Sequence, residues 1–328
     1  SLPGFPYYNH QGLGAWITLG LLVLWHSKEH IKETLAKFFA PQTDNHVMRT
    51  GLSGHRRALF GIACSLIILV LLFHQAGMSF SIILIFLAIY VVMSVAITHA
   101  RATVGIPYHE IIYTHPQLML VSAVGTRHIG ANILTLMSFL YPYVRDNVSH
   151  PMPNQLEGFK IAERAKINQR RFLVAMLVTI PVASLAAFWA YLHGVYQIGS
   201  GGSFAWGAFN RLHRWTTTPT DFDPVATFFV LIGVVNAILL TILRWKIIWW
   251  PFSPIGYAIS GSYTMNIFWL SFLIGWTIKG ILIKQGGLKA HRRIRPLFFG
   301  LILGEFIMGS LWSLISIVTQ QPMYDFID

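Results

Sequence analysis

Apolar residues run along this chain in long unbroken blocks, and the polar and charged positions are gathered into short stretches between them. The clearest blocks are Leu59 to Phe73, Phe80 to Ile97, Phe172 to Leu192, Val225 to Leu243, Ile267 to Ile283 and Pro296 to Val318. About 20 predominantly apolar residues cross the hydrocarbon of a bilayer as a helix, so each block predicts a membrane span. Gly12 to Trp25 is shorter, and snorkelling by Lys28, Lys32 and Lys37 extends it to a further one. The pattern predicts an all-α, polytopic transmembrane bundle of about seven spans.

Between the blocks, Ile129 to Tyr143 is apolar enough either to cross fully or to dip in and return as a re-entrant segment. Leu156 to Phe172 (LEGFKIAERAKINQRRF) sets Phe159, Ala162 and Ala165 near one side of a helix, with Lys160, Arg164, Lys166, Arg170 and Arg171 around the rest. It reads either as an amphipathic helix on the membrane surface or as a solvated helix leading into the next span. Gly199 to Ser203 is a flexible tip, and Phe204 to Trp215 is aromatic and basic, which suits a lid at headgroup level. Residues 1–328 therefore form a single transmembrane domain. Its first three spans lie in 1–110, a re-entrant and interfacial region in 111–171, and four further spans in 172–328.

Composition agrees with a membrane location: 54% of residues are hydrophobic and only 11% charged, whereas a soluble domain carries about 25% charged residues. The net charge of +12 does not point to nucleic acid, because the basic residues sit in short loops between spans, where they orient membrane proteins. Residues 26–58 carry Lys28, Lys32, Lys37, Arg49, Arg56 and Arg57, against a charge-free amino terminus. This predicts a multi-pass protein of the cell (inner) membrane with its amino terminus outside. From Arg101 onward the basic residues fit a crossing or a re-entrant Ile129 to Tyr143 equally well. The single cysteine, Cys64, excludes a disulfide or thiolate cluster within the chain.

The candidate chemistry lies in the last third. Pro251 and Pro254 each lack a backbone donor and directly precede Gly256 and an apolar helix, so the chain cannot run unbroken from Val225 to Ile283. The break is either an interfacial turn marked by Trp245, Trp249 and Trp250 or an unwound element beside a substrate path. The following helix is unusually polar, with Tyr263 and Asn266 near its start, and Ser271, Gly275 and Lys279 share one face at four-residue spacing. Further on, Glu305, Gly309, Trp312 and Ser316 also share a face, and Gly300 and Gly304 form a small-residue surface for helix packing. A carboxylate inside a span is costly to leave in lipid, so Glu305 is expected either to couple a proton or cation or to pair with a neighbouring helix. Asn236 and Thr241 are expected to hydrogen-bond between helices.

Catalytic readings are weaker. His109, Glu110 and His115 bring ligand types together, but Pro107 and Pro116 favour a loop over a ligand-bearing helix, and no H-E-x-x-H spacing occurs. No hydrolase, phosphate-loop or dinucleotide fingerprint is present. No metal, cofactor or catalytic residue is expected.

The stretches His150 to Phe172, Arg244 to Tyr263, Ile283 to Gly287 and Arg295 to Gly309 resemble a group of large, uncharacterised prokaryotic membrane proteins distantly similar to oligopeptide-transporter-like proteins. The resemblance implies that this chain corresponds to a carboxy-terminal half, the amino-terminal portion being missing or supplied by a companion chain. It also implies proton-driven uptake of peptides or chelates, with Glu305 as the coupling candidate. Membrane lipids are the expected surroundings, as a homo-oligomer or within a larger membrane complex. The alternative to a transporter is a structural subunit of such a complex, possibly an energy-transducing one.

Overall fold

The computed structural model describes residues 5–39, 46–106, 114–145, 150–199, 206–319 and 321. The chain divides into two compact units, Ser1–Asn266 and Ile267–Asp328.

The first unit is organised around α1 (Tyr8–His26), which packs against α4 (Phe80–Val104), α5 (Pro116–Val124), α11 (Pro224–Lys246) and α12 (Pro254–Ser260). Leu13, Ala15 and Trp16 are buried almost completely. Glycines set the approach: a Cβ at Gly14 would overlap the Val230 carbonyl, one at Gly233 the Gln11 carbonyl, and one at Gly20 the Val92 carbonyl. Main chain therefore lies directly on main chain along this seam, as small residues permit between membrane helices.

Among the described residues, five helices are long and apolar enough to cross a membrane: Arg56–Gln75, Phe80–Val104, Gln169–Gln197, Pro224–Lys246 and Met265–Thr319. The first four contain the blocks at 59–73, 80–97, 172–192 and 225–243. The last belongs to α13 (Tyr263–Thr319), which holds both remaining blocks in one helical run. That run kinks at Gly287, whose φ of 62° and ψ of −165° suit a residue without a Cβ. Gly12 to Trp25 falls within α1, which is not among the five. Its Gly12–Ala15 and Thr18–Gly20 stretches are covered by protein, so α1 does not need a continuous lipid-facing apolar surface.

Region 111–171 is broken repeatedly. Helices α5, α6 (Thr126–Ile129) and α7 (Ala131–Arg145) are separated by Gly125 and Gly130, both at positive φ. The 15 residues of α7 fall short of the roughly 20 that a crossing takes. Buried Gln117 donates to the Met137 carbonyl and ties α5 to α7.

The continuous helix expected over Leu156 to Phe172 is corrected: α8 (Pro151–Arg164) stops, Lys166 takes a φ of 57°, and α9 (Gln169–Ile198) starts anew. The side chain of Asn168 accepts from the Arg170 and Arg171 amides, a strong N-cap that the amphipathic pattern had hidden. Ala162 is buried and Phe159 meets Phe172 edge-on at 5.8 Å. Arg101 holds α8 against α4 through two bonds to Glu157, at 2.6 and 2.9 Å. His150 Nε2 donates to Ser94 Oγ at 2.9 Å while Ser94 donates to the Tyr90 carbonyl.

Candidate functional site

Helix α11 ends at Lys246, where Ile247 turns extended, and residues 247–253 are not helical; Pro251, without a backbone donor, keeps the helix from resuming there. Pro254 then opens α12, only seven residues long, and Gly261 and Ser262 separate it from α13. Pro254, Ile255 and Ala258 are buried, so α12 is packed into the first unit, whereas Ile248, Trp249 and Phe252 of the non-helical stretch are exposed.

Tyr257 is the polar centre of this element. Its hydroxyl donates to Gln11 Oε1 at 2.8 Å and accepts from Asn236 Nδ2 at 3.2 Å, while Gln11 Nε2 donates to the Pro6 carbonyl at 2.7 Å. One side chain thus joins α1, α11 and α12. Two clefts border the broken element, and Tyr257 borders the second. One of about 440 Å³ is bordered by His26, His99, Thr241, Arg244 and Ser253. The other, of about 650 Å³, is bordered by Asn236, Pro251, Ser253, Gly256, Tyr257 and Ser260. Buried Ser253 Oγ and Trp250 Nε1 have no hydrogen-bond partner among the described residues, which leaves polar capacity beside the clefts.

A second polar cluster sits where α5 meets α10 (Trp206–Thr217). His115, 4% exposed, caps α5. Its Nε2 lies 3.1 Å from Arg211 Nη1, and Arg211 Nη2 donates to the Tyr141 hydroxyl at 3.0 Å. The guanidinium also lies 4.3 Å over the Tyr141 ring. Burial, reinforced by the Arg211 charge, lowers the His115 pKa to about 3, so the ring is neutral.

A family model matches residues 1–328. The chain belongs to the DUF6785 family, a family of unknown function. Comparison with curated proteins and with solved structures found no match.

Of the residues singled out from the sequence, Pro251, Pro254 and Gly256 lie together at the broken element, and Tyr263 and Asn266 follow it at the start of α13. Ser271, Lys279 and Glu305 lie farther along α13, in the second unit, and all three are exposed. Cβ atoms at Gly300 and Gly304 would meet nothing among the described residues within 4 Å. Asn236 bonds across to Tyr257, whereas Thr241 bonds the Ala237 carbonyl of its own helix. His109 and Glu110 lie outside the described residues, and among the described residues no group of three His, Cys, Asp or Glu could hold a metal. Sequence reasoning missed Gln11, Tyr257 and Arg211, whose partners are far away along the chain.

Proposed function

We propose that this DUF6785 protein is a secondary transporter, similar in principle to oligopeptide-transporter-like proteins, that moves a small peptide or chelate with proton or cation coupling. One observation carries the reading: a non-helical stretch between α11 and α12, followed by a hydrogen-bonded tyrosine and bordering two clefts. Irregular backbone at membrane depth is tolerated only where protein buries it or where it borders a cavity, and broken helices of this kind form transporter binding sites. About seven crossings follow if α1 crosses and α13 turns back at Gly287, since α13 holds two apolar blocks of sufficient length. In this reading Glu305, with the Ser271 and Lys279 face, belongs to the coupling machinery.

The test is uptake by purified protein in liposomes carrying an internal pH-sensitive dye, under an imposed proton gradient. Mixed di- and tripeptides, free and as metal chelates, serve as substrates. Peptide-dependent acidification that is lost in Tyr257→Phe supports transport. Acidification that is equal in protein-free liposomes and unaffected by any peptide counts against it.

A structural role within a larger membrane complex is the second reading. It is favoured by the apolar windows of Arg56–Gln75 and Gln169–Gln197, which are 0% buried within this chain. Fixed-stoichiometry recovery with other chains after gentle extraction would support it, and recovery alone or as a homo-oligomer would favour the free-standing transporter.

A further inference from the structure

A cleft of about 350 Å³ opens between the start of α1, the α5 cap and α10, bordered by Asn9, His115, Arg211, Arg214, Trp215 and Thr218. Its charge is uncompensated: among the described residues neither Arg211 nor Arg214 pairs with a carboxylate. The acids of the adjoining loop are engaged elsewhere, Asp221 by Arg127 at 3.0 Å and Asp223 as the cap of α11, accepting from the Ala226 amide at 2.9 Å. Arg211 is held in place by Tyr141 and His115, and two bonds leave most of its five N–H donors unspent.

The histidine contact is itself incomplete. His115 Nδ1 faces the Leu118 amide at 3.3 Å and Nε2 faces Arg211 at 3.1 Å, and both neighbours are donors. A neutral imidazole accepts at one nitrogen only, so the helix cap and the guanidinium compete for a single lone pair. Arg214 makes no side-chain hydrogen bond or ion pair among the described residues, and it borders the same cleft one helical turn from Arg211. A fixed guanidinium fork with a second cation beside it is the arrangement that binds carboxylate or phosphate oxygens well.

We propose that this cleft binds an oxyanion, a carboxylate or a phosphate group, between Arg211 and Arg214. The same chemistry is offered by an anionic lipid headgroup and by a soluble anion. Binding here does not require that the protein transport anything.

The experiment follows thermal unfolding of the purified protein in nanodiscs of zwitterionic phosphatidylcholine. Inorganic phosphate and acetate are titrated against chloride at equal ionic strength, and nanodiscs containing phosphatidylglycerol are compared without added anion. The site predicts stabilisation above the chloride control. In Arg214→Gln the half-effective concentration should rise about tenfold or more, because a charge-assisted contact is lost. Among the described residues the Arg214 side chain makes no hydrogen bond or ion pair, and its backbone carbonyl keeps its bonds from Thr218 in the variant, so Arg214→Gln should unfold like the native protein in chloride. A response to phosphate or acetate identifies a soluble anion as a ligand, and a response to phosphatidylglycerol alone identifies the headgroup. Stabilisation no greater than with chloride in every arm, or an equal response in Arg214→Gln, overturns the proposal.

Discussion

The Tyr257 hydroxyl donates to Gln11 Oε1 at 2.8 Å, joining the short helix at the chain break to the central helix α1. Tyr257→Phe removes that bond and the one from Asn236, and leaves two half-buried amides without their partner. The expected cost is about 1–3 kcal/mol, read as a lower unfolding midpoint in detergent. Uptake, where it occurs, should fall further than stability does, because Tyr257 and its partner Asn236 both border the larger cleft. Unchanged stability and uptake would show that the tyrosine is not a keystone of this element.

Gly233 allows α11 to lie on α1, since any Cβ there would overlap the Gln11 carbonyl, a backbone atom that cannot rotate away. Gly233→Ala is therefore expected to cost at least about 2 kcal/mol, measured as loss of folded protein after solubilisation. Gly304→Leu is the contrast: a Cβ there meets nothing within 4 Å among the described residues, so the monomer should fold normally. If Gly304 faces another chain, that variant should instead shift the native mass.

The apolar blocks were legible because lipid demands length and hydrophobicity from every residue of an exposed span, a demand written locally in sequence. The role of α1 was not, because protein covers its central stretch from Gly12 to Gly20, and nothing local tells Gly14, Gly20 and Gly233 from the other glycines among 27. The break at Pro251 and Pro254 was visible from proline chemistry alone. Its polar centre was not, since Tyr257 and Gln11 are separated by 246 positions. Arg211 lay within a stretch marked as aromatic and basic, yet only folding brings it to His115, 96 positions away. The stop after α8 was hidden because charge periodicity continues across Asn168 while the backbone does not.

Acid should loosen the α5–α10 contact. The folded His115 pKa of about 3 lies below its ordinary 6.5, so the unfolded chain takes up the proton first as pH falls. The stability contributed by the neutral ring is complete above pH 6.5 and is lost progressively as pH drops toward 3. At pH 5 the loss from this histidine reaches at most about 2 kcal/mol. His115→Asn keeps a capping acceptor without a titrating group and should flatten this part of the unfolding-midpoint profile between pH 7 and 4. An identical acid limb in the variant would assign the sensitivity to other groups.

Glu305 separates coupling from packing by the signs of two effects. It is exposed on α13, four residues before Gly309 and seven before Trp312 on one helical face. If the carboxylate carries a proton or cation, Glu305→Gln should abolish gradient-driven uptake while the protein assembles as before. Its unfolding midpoint should stay level or rise, because a neutral amide is less costly than a carboxylate within a span. If the carboxylate instead anchors a cation on a neighbouring helix or chain, the same variant should lose stability or change native mass, since removing one partner strands the other. Uptake and unfolding measured on one preparation distinguish the two roles, and Glu305→Asp, which restores the charge, should recover part of whichever property was lost.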